Sequence, residues 1–251
     1  MSTRYFIFFS FKGTRYHGWQ LQPNGITVQQ VLNDALSTLL NEKIASVGAG
    51  RTDSGVHARL FCAHFDSSNE NLVSDHNLIF RLNRYLPDDI SVLSVNKVIP
   101  DASSRYNAIS RTYKYYISTI KDPFSDELNW FLYGKLNVDD MNKASEILMK
   151  YSDFTSFSRL HSGSKTNICN IYSASWEEFP GKLVFTITAD RFLRNMVRSV
   201  VGTMVALGSG KLSLEEFAEI IDAKDRCRAG MSAPGKGLFL ENIEYPDGIF
   251  I

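Results

Sequence analysis

Apolar residues recur along the chain with two periods. Residues 4–12 form an aromatic and β-branched run that ends at Gly13 and predicts a strand. Thr27 suits a helix N-cap, and after it Val28, Val31, Leu32, Ala35, Leu36, Leu39 and Leu40 repeat at helical spacing. Strands are expected at 45–49, 60–65 and 91–98. A helix at 75–85 stops before Pro87, because proline disfavours helical geometry in the residue preceding it. Further on, the pattern predicts strands at 112–119, 183–189 and 237–245, helices at 138–151, 192–207 and 213–222, and a mobile loop at 162–166. Residues 100–104 are the best boundary, dividing the chain into a half at 1–102 and a half at 103–251. Strands and helices are intermixed, with no glycine-rich strand-to-helix fingerprint, so the expected class is α+β with two related halves and helices packed on sheets.

The 251 residues suffice for a sizeable core, and 44% apolar content excludes disordered and fibrous classes. The run at 5–11 is short and lacks a following small-residue cleavage site, so no secretory signal is expected. The most apolar long stretch, 192–207, carries Arg194 and Arg198, which a membrane span tolerates badly. Cys62, Cys169 and Cys227 are widely spaced with no C-x-x-C pair, so neither a disulfide framework nor a zinc site is suggested. The expectation is a soluble, reduced, cytoplasmic, metal-free protein.

Lys and Arg balance Asp and Glu at 27 each, which argues against a generally basic nucleic-acid footprint. The distribution is uneven. Residues 101–121 hold Arg105, Arg111, Lys114 and Lys121 against Asp101, and residues 190–211 hold Arg191, Arg194, Arg198 and Lys211 against Asp190. On a helix, Arg191, Arg194 and Arg198 form one basic stripe opposite the apolar Met196, Val200, Val201, Met204 and Val205.

The most unusual segment is Gly48-Ala49-Gly50-Arg51-Thr52-Asp53-Ser54-Gly55-Val56-His57, between two predicted strands. It is not a P-loop, since Val56-His57 stands where a lysine and a hydroxyl must reach phosphate and metal. It is not a nucleophile elbow, since Thr52 and Val56 flank Ser54 where glycines are required. Asp53-Ser54-Gly55 matches the aspartic-protease tripeptide, but that chemistry needs two carboxylates sharing a proton, and Arg51 opposes the shared state. The plain alternative is a turn in which Gly55 supplies positive φ.

Gly50 to His57 resembles the G-R-T-D-x-G-V-H signature of the TruA family of tRNA pseudouridine synthases. The resemblance continues through Tyr16-His17-Gly18-Trp19-Gln20, Ser110-Arg111-Thr112-Tyr113-Lys114-Tyr115, the blocks at 153–157 and 192–198, and the block at 233–240, all in family order. The chain departs from the family's commoner pattern at 168–171, where an Arg is frequent, and at 101–104. The resemblance implies two α+β halves whose antiparallel sheets meet at a central RNA-binding cleft. It implies isomerisation of uridine at tRNA position 38, 39 or 40 by a homodimer, with no cofactor. It assigns Asp53 as the catalytic aspartate and Arg198 as its basic partner. Tyr113 is the aromatic that stacks on uracil, Arg51 the arginine that holds the displaced nucleotide, and Leu238 the apolar lining of the base pocket. Arg111 and Arg194 are added as substrate-binding residues. An ionised aspartate fits this chemistry, its ordinary pKa being about 3.9. Attack at C1′, attack at C6 and abstraction of a sugar proton are all open to it. A non-catalytic tRNA-binding module is the competing class.

Overall fold

The computed structural model describes residues 2–75, 77–159 and 166–251, so residues 162–165 of the expected loop lie outside the described residues. Packing divides the chain into two compact units, Met1–Ile109 with Leu240–Ile251, and Ser110–Phe239. Among the described residues, strands and five α-helices are intermixed without regular alternation, in keeping with the expected α+β class.

In the first unit, β1 (Thr3–Phe11) lies between β3 (His57–Ser67) and β4 (Ile90–Lys97), antiparallel to both, and β2 (Val47–Gly48) pairs with β3. Both faces of β1 are buried. Phe9 meets Trp19 and Phe61 on one side, with ring centroids 5.8 and 5.4 Å away. On the other, Phe6 packs edge-on against Tyr245 and Phe250, at 5.1 and 6.2 Å. The helix α1 (Val28–Leu40) starts where expected, with the Thr27 hydroxyl accepting from Gln30 N at 3.3 Å and Val28, Leu32, Ala35 and Leu36 turned inward. The next, α2 (Leu78–Tyr85), ends at extended Leu86 ahead of Pro87.

The second unit is built on the sheet order β5 (Ser110–Ser118), β8 (Lys182–Ala189), β7 (Ile171–Phe179), with β6 (Trp130–Phe131) beside β5. The sheet is mixed rather than wholly antiparallel. After β5 the chain turns back through residues 119–129 before pairing, so β6 runs parallel to β5, with Ile117 opposite Trp130. The helices α3 (Val138–Leu148), α4 (Met196–Gly208) and α5 (Leu214–Asp222) pack together. Ser213 and Glu216 close a reciprocal capping box at the start of α5. Trp176 stacks on Phe185 at 4.9 Å and donates its indole N–H to Met204 Sδ at 3.4 Å. The last strand, β9 (Leu238–Glu244), carries the chain from the second unit back into the first, where Glu241 faces Arg59 of β3 at 3.6 Å.

The expected helix at 192–207 begins only at Met196, because Asn195 sits in the left-handed region at φ 66°. Arg191 and Arg194 therefore precede the helix and form no helical stripe with Arg198. Among the described residues, no helix is long and apolar enough to cross a membrane, and no group of His, Cys, Asp and Glu could hold a metal ion.

Candidate active site

In the first unit, Asp53 sits at the head of a tight turn. Its carbonyl accepts from Val56 N at 3.2 Å, and Gly55 takes φ +75°, a type II geometry that suits glycine. The turn reading of this segment is thus correct as local structure. It also leaves Asp53 half-buried and Arg51 exposed.

The turn is fixed by a segment almost forty residues earlier. Trp19 N donates to Thr52 O at 3.3 Å, Ser54 Oγ donates to Tyr16 O at 3.2 Å, and Gly13 N donates to His57 Nδ1 at 2.9 Å. That last bond requires the tautomer with Nδ1 unprotonated, on a buried imidazole. Gly18 has φ +83°, and a Cβ there would overlap Thr52 O, so this close approach is open to glycine alone. Underneath, Trp19 packs on Phe61 at 4.6 Å.

The second unit holds the other expected residues. Tyr113 lies on β5 opposite Ile187 of β8, half-buried, its ring edge-on to Phe192 at 5.1 Å and 87°. Arg111 donates to Asp190 O at 2.7 Å, and so is tied to the end of β8. Arg194 is exposed, and its carbonyl accepts from Arg159 N at 3.0 Å. Leu238 is buried at the start of β9.

Arg198, on the first turn of α4, is held from both ends. Its Nε donates to Ala233 O at 2.7 Å, and its own carbonyl accepts from Ala233 N at 2.9 Å. The segment around Ala233 is locked in turn by Asn195 Nδ2 and Arg226, which donate to Ser232 Oγ at 2.7 and 2.9 Å. Tyr115 OH donates to Pro234 O at 2.8 Å. Burial pushes that phenol well above its ordinary range, and the positive charge of Arg198 pulls partly the other way. Tyr113, Phe192 and Arg198 are thereby set by hydrogen bonds and packing within the second unit, while Arg51 and Asp53 are set within the first.

Sequence reasoning missed three residues that do this holding. Phe192 braces Tyr113. Asp190 takes Arg111 on its carbonyl and Asn170 on its carboxylate, through N at 2.8 Å and Nδ2 at 3.1 Å. Ala233 anchors Arg198. All three lie in or beside blocks already singled out, but their partners are set by the fold. The two departures from the family pattern have internal uses. Cys169 is buried, its thiol pushed up to about 12 mainly by that burial. Ser104 Oγ donates to Val47 O at 2.8 Å, and its carbonyl accepts from Tyr245 OH at 2.6 Å.

Ser199, next to Arg198, has a buried hydroxyl oxygen with no hydrogen-bond partner among the described residues. Removing it relieves an unsatisfied group and gains helix propensity, together about 1 kcal/mol. Ser199→Ala is therefore expected to raise Tm by roughly 2–4 °C in calorimetry. A lower Tm would show that the hydroxyl is used.

A family model described as tRNA pseudouridine synthase matches residues 151–246, which include Arg194, Arg198 and Leu238. A Bacteroides thetaiotaomicron protein named tRNA pseudouridine synthase A is 53% identical over 250 residues, covering 98% of this chain and 92% of its own length. A Bacteroides fragilis protein of the same name is 54% identical over 248 residues, covering 98% of each. A more distant one from Clostridium acetobutylicum keeps 38% identity over 237 residues, 94% of this chain and 96% of its own. With identity of this order along nearly its whole length, the chain belongs to the tRNA pseudouridine synthase A family, isomerases that convert uridine to pseudouridine in tRNA.

Proposed function

We propose that the chain isomerises uridine at position 38, 39 or 40, in the anticodon stem and loop of tRNA, and that it acts as a cytoplasmic homodimer. Asp53 is the reacting carboxylate, Arg198 its basic partner, and Arg51 the group that holds the displaced nucleotide. Tyr113 stacks on the uracil and Leu238 lines the base pocket, with Arg111 and Arg194 as further RNA contacts.

The observation that carries this reading is the mounting of Asp53. A half-buried carboxylate stands on a turn whose backbone is gripped from Thr52 to His57 by an unrelated stretch of chain. A turn that only reversed the chain would need no such grip.

The chemistry suits these residue types. The C1′–N1 bond breaks, the uracil turns, and C5 bonds to C1′. C5 then loses a proton while N1 gains one, so nothing is added or lost and no cofactor is called for. A base inside a stem must be extruded at a cost of a few kcal/mol. Stacking on an aromatic ring returns roughly 1–3 kcal/mol of that. Local basic segments and recognition of RNA by shape reconcile the neutral total charge with an RNA substrate.

The test is incubation with unmodified tRNA followed by carbodiimide and primer extension, with the expected new stops at positions 38 to 40. Stops elsewhere in the tRNA would replace the proposed target. Tyr113→Phe is expected to bind tRNA as wild type does but to turn over about tenfold more slowly, for loss of a hydroxyl able to exchange a proton. An unchanged rate would confine Tyr113 to stacking.

A further inference from the structure

Asp89 lies just ahead of β4, outside every motif discussed so far. Both of its carboxylate oxygens are engaged: Tyr16 OH donates to Oδ1 at 2.6 Å and Arg15 Nε donates to Oδ2 at 2.7 Å. Its carbonyl accepts from Lys12 N at 2.9 Å. The segment from Lys12 to Tyr16 is thus tied to Asp89 at three points, and this same segment holds the turn of Asp53 through Gly13 and Tyr16. The Tyr16 side chain is buried and its carbonyl takes the Ser54 hydroxyl, so one residue touches Asp89 at its tip and the Asp53 turn at its backbone.

We propose that Asp89 is a positioning residue for the isomerisation, setting through Tyr16 the place of the turn that carries Asp53. The proposal rests on the reading of Asp53 as the reacting carboxylate. The charge states support it. Burial opposes ionisation of Asp89, but the hydrogen bonds from Arg15 and Tyr16 outweigh it and hold the carboxyl below its ordinary range. Burial, and then the bond to Asp89, push the Tyr16 phenol up, so at neutral pH it remains a donor facing an ionised acceptor. Charge-assisted bonds of this length are stiff. Stiffness matters here because a displacement of about 1 Å at a reacting group can cost on the order of a hundredfold in rate.

The experiment measures kcat and KM of the full chain on unmodified tRNA for Tyr16→Phe, Asp89→Ala, Asp89→Asn and the Tyr16→Phe/Asp89→Ala double variant, beside Asp53→Ala. Rates are normalised to the folded fraction from thermal melts. Tyr16→Phe and Asp89→Ala are each expected to lower kcat about tenfold with KM within about twofold, the pattern of a displaced reacting group. The double variant is expected to be no slower than Asp89→Ala alone, because the Tyr16 bond is already lost in that variant. Asp89→Asn, which keeps an acceptor for the phenol, is expected to recover most of the rate.

Wild-type kcat in both single variants, losses that multiply in the double variant, or losses that vanish on normalisation would overturn the proposal. Should Asp89→Ala fail to fold, Tyr16→Phe, which removes one oxygen, decides alone. Asp53→Ala turning over like wild type would instead overturn the reading of Asp53, and so the two failures are distinguishable.

Discussion

Asp53→Ala is expected to reduce turnover by at least about a thousandfold while leaving the Kd for tRNA within a few-fold of wild type. The rate loss corresponds to about 4 kcal/mol of transition-state stabilisation. On the proposed role it is large because the carboxylate takes part directly in the reaction, at C1′, at C6 or at a sugar proton, and a methyl group cannot replace it there. Binding is spared because contacts to phosphate and sugar supply most of the affinity for nucleic acid, and a carboxylate contributes nothing to those. The measurement is release of tritium from C5-labelled uridine in tRNA under single-turnover conditions, paired with filter binding. A binding loss that matched the rate loss would place Asp53 among the RNA-gripping residues. Residual turnover near wild type would remove it from the chemistry altogether.

Gly202→Ala is expected to be the most damaging single methyl addition in the second unit. In an exposed helix interior the same change stabilises by about 1 kcal/mol, since alanine is the better helix former. Here the sign reverses. Gly202 is buried in α4, and a Cβ would overlap the Met231 carbonyl oxygen, a backbone atom that cannot swing aside. Relief requires the segment at 231–233 to move off the helix, and overpacking of this kind costs roughly 1–3 kcal/mol or more. A net loss of about 2 kcal/mol lowers Tm by roughly 4–8 °C. Because Ala233 exchanges two hydrogen bonds with Arg198, the same movement should reduce kcat by about tenfold beyond any loss of folded protein. A Tm at or above that of wild type would show that the segment yields freely.

Local signals in the sequence were reliable where local physics decides. Thr27 caps α1 and Pro87 stops α2, each as read from residue type and spacing. The strand Ile171–Phe179 was not foreseen, because only Ala174 and Trp176 among its residues turn inward and its exposed Ser173, Ser175 and Glu177 dilute the apolar signal. The start of α4 was placed four residues too early, since nothing in the run from Phe192 reveals that Asn195 takes a left-handed conformation. For the site, residue types and motif order pointed to Asp53, Tyr113 and Arg198. Their supports were invisible. The grip of Gly13, Tyr16 and Trp19 on the turn, the brace of Phe192 and the anchor at Ala233 join residues from about 35 to nearly 80 positions apart, and such pairings exist only once the fold does.

The return of the chain through β9 bears on how this protein is made. Tyr245 and Phe250 pack on Phe6, Ile109 N donates to Glu244 O, and Ile251 N donates to Lys97 O, so the first unit is completed by its C-terminal residues. On the ribosome those residues emerge only after the whole of Ser110–Phe239. At about 5–20 residues per second, the delay is on the order of ten seconds. During that interval the aromatic face of β1 is synthesised but uncovered, and the second unit, whose residues are contiguous, has the opportunity to close first. The half of the protein translated first is thus the half that cannot be completed until translation is nearly over.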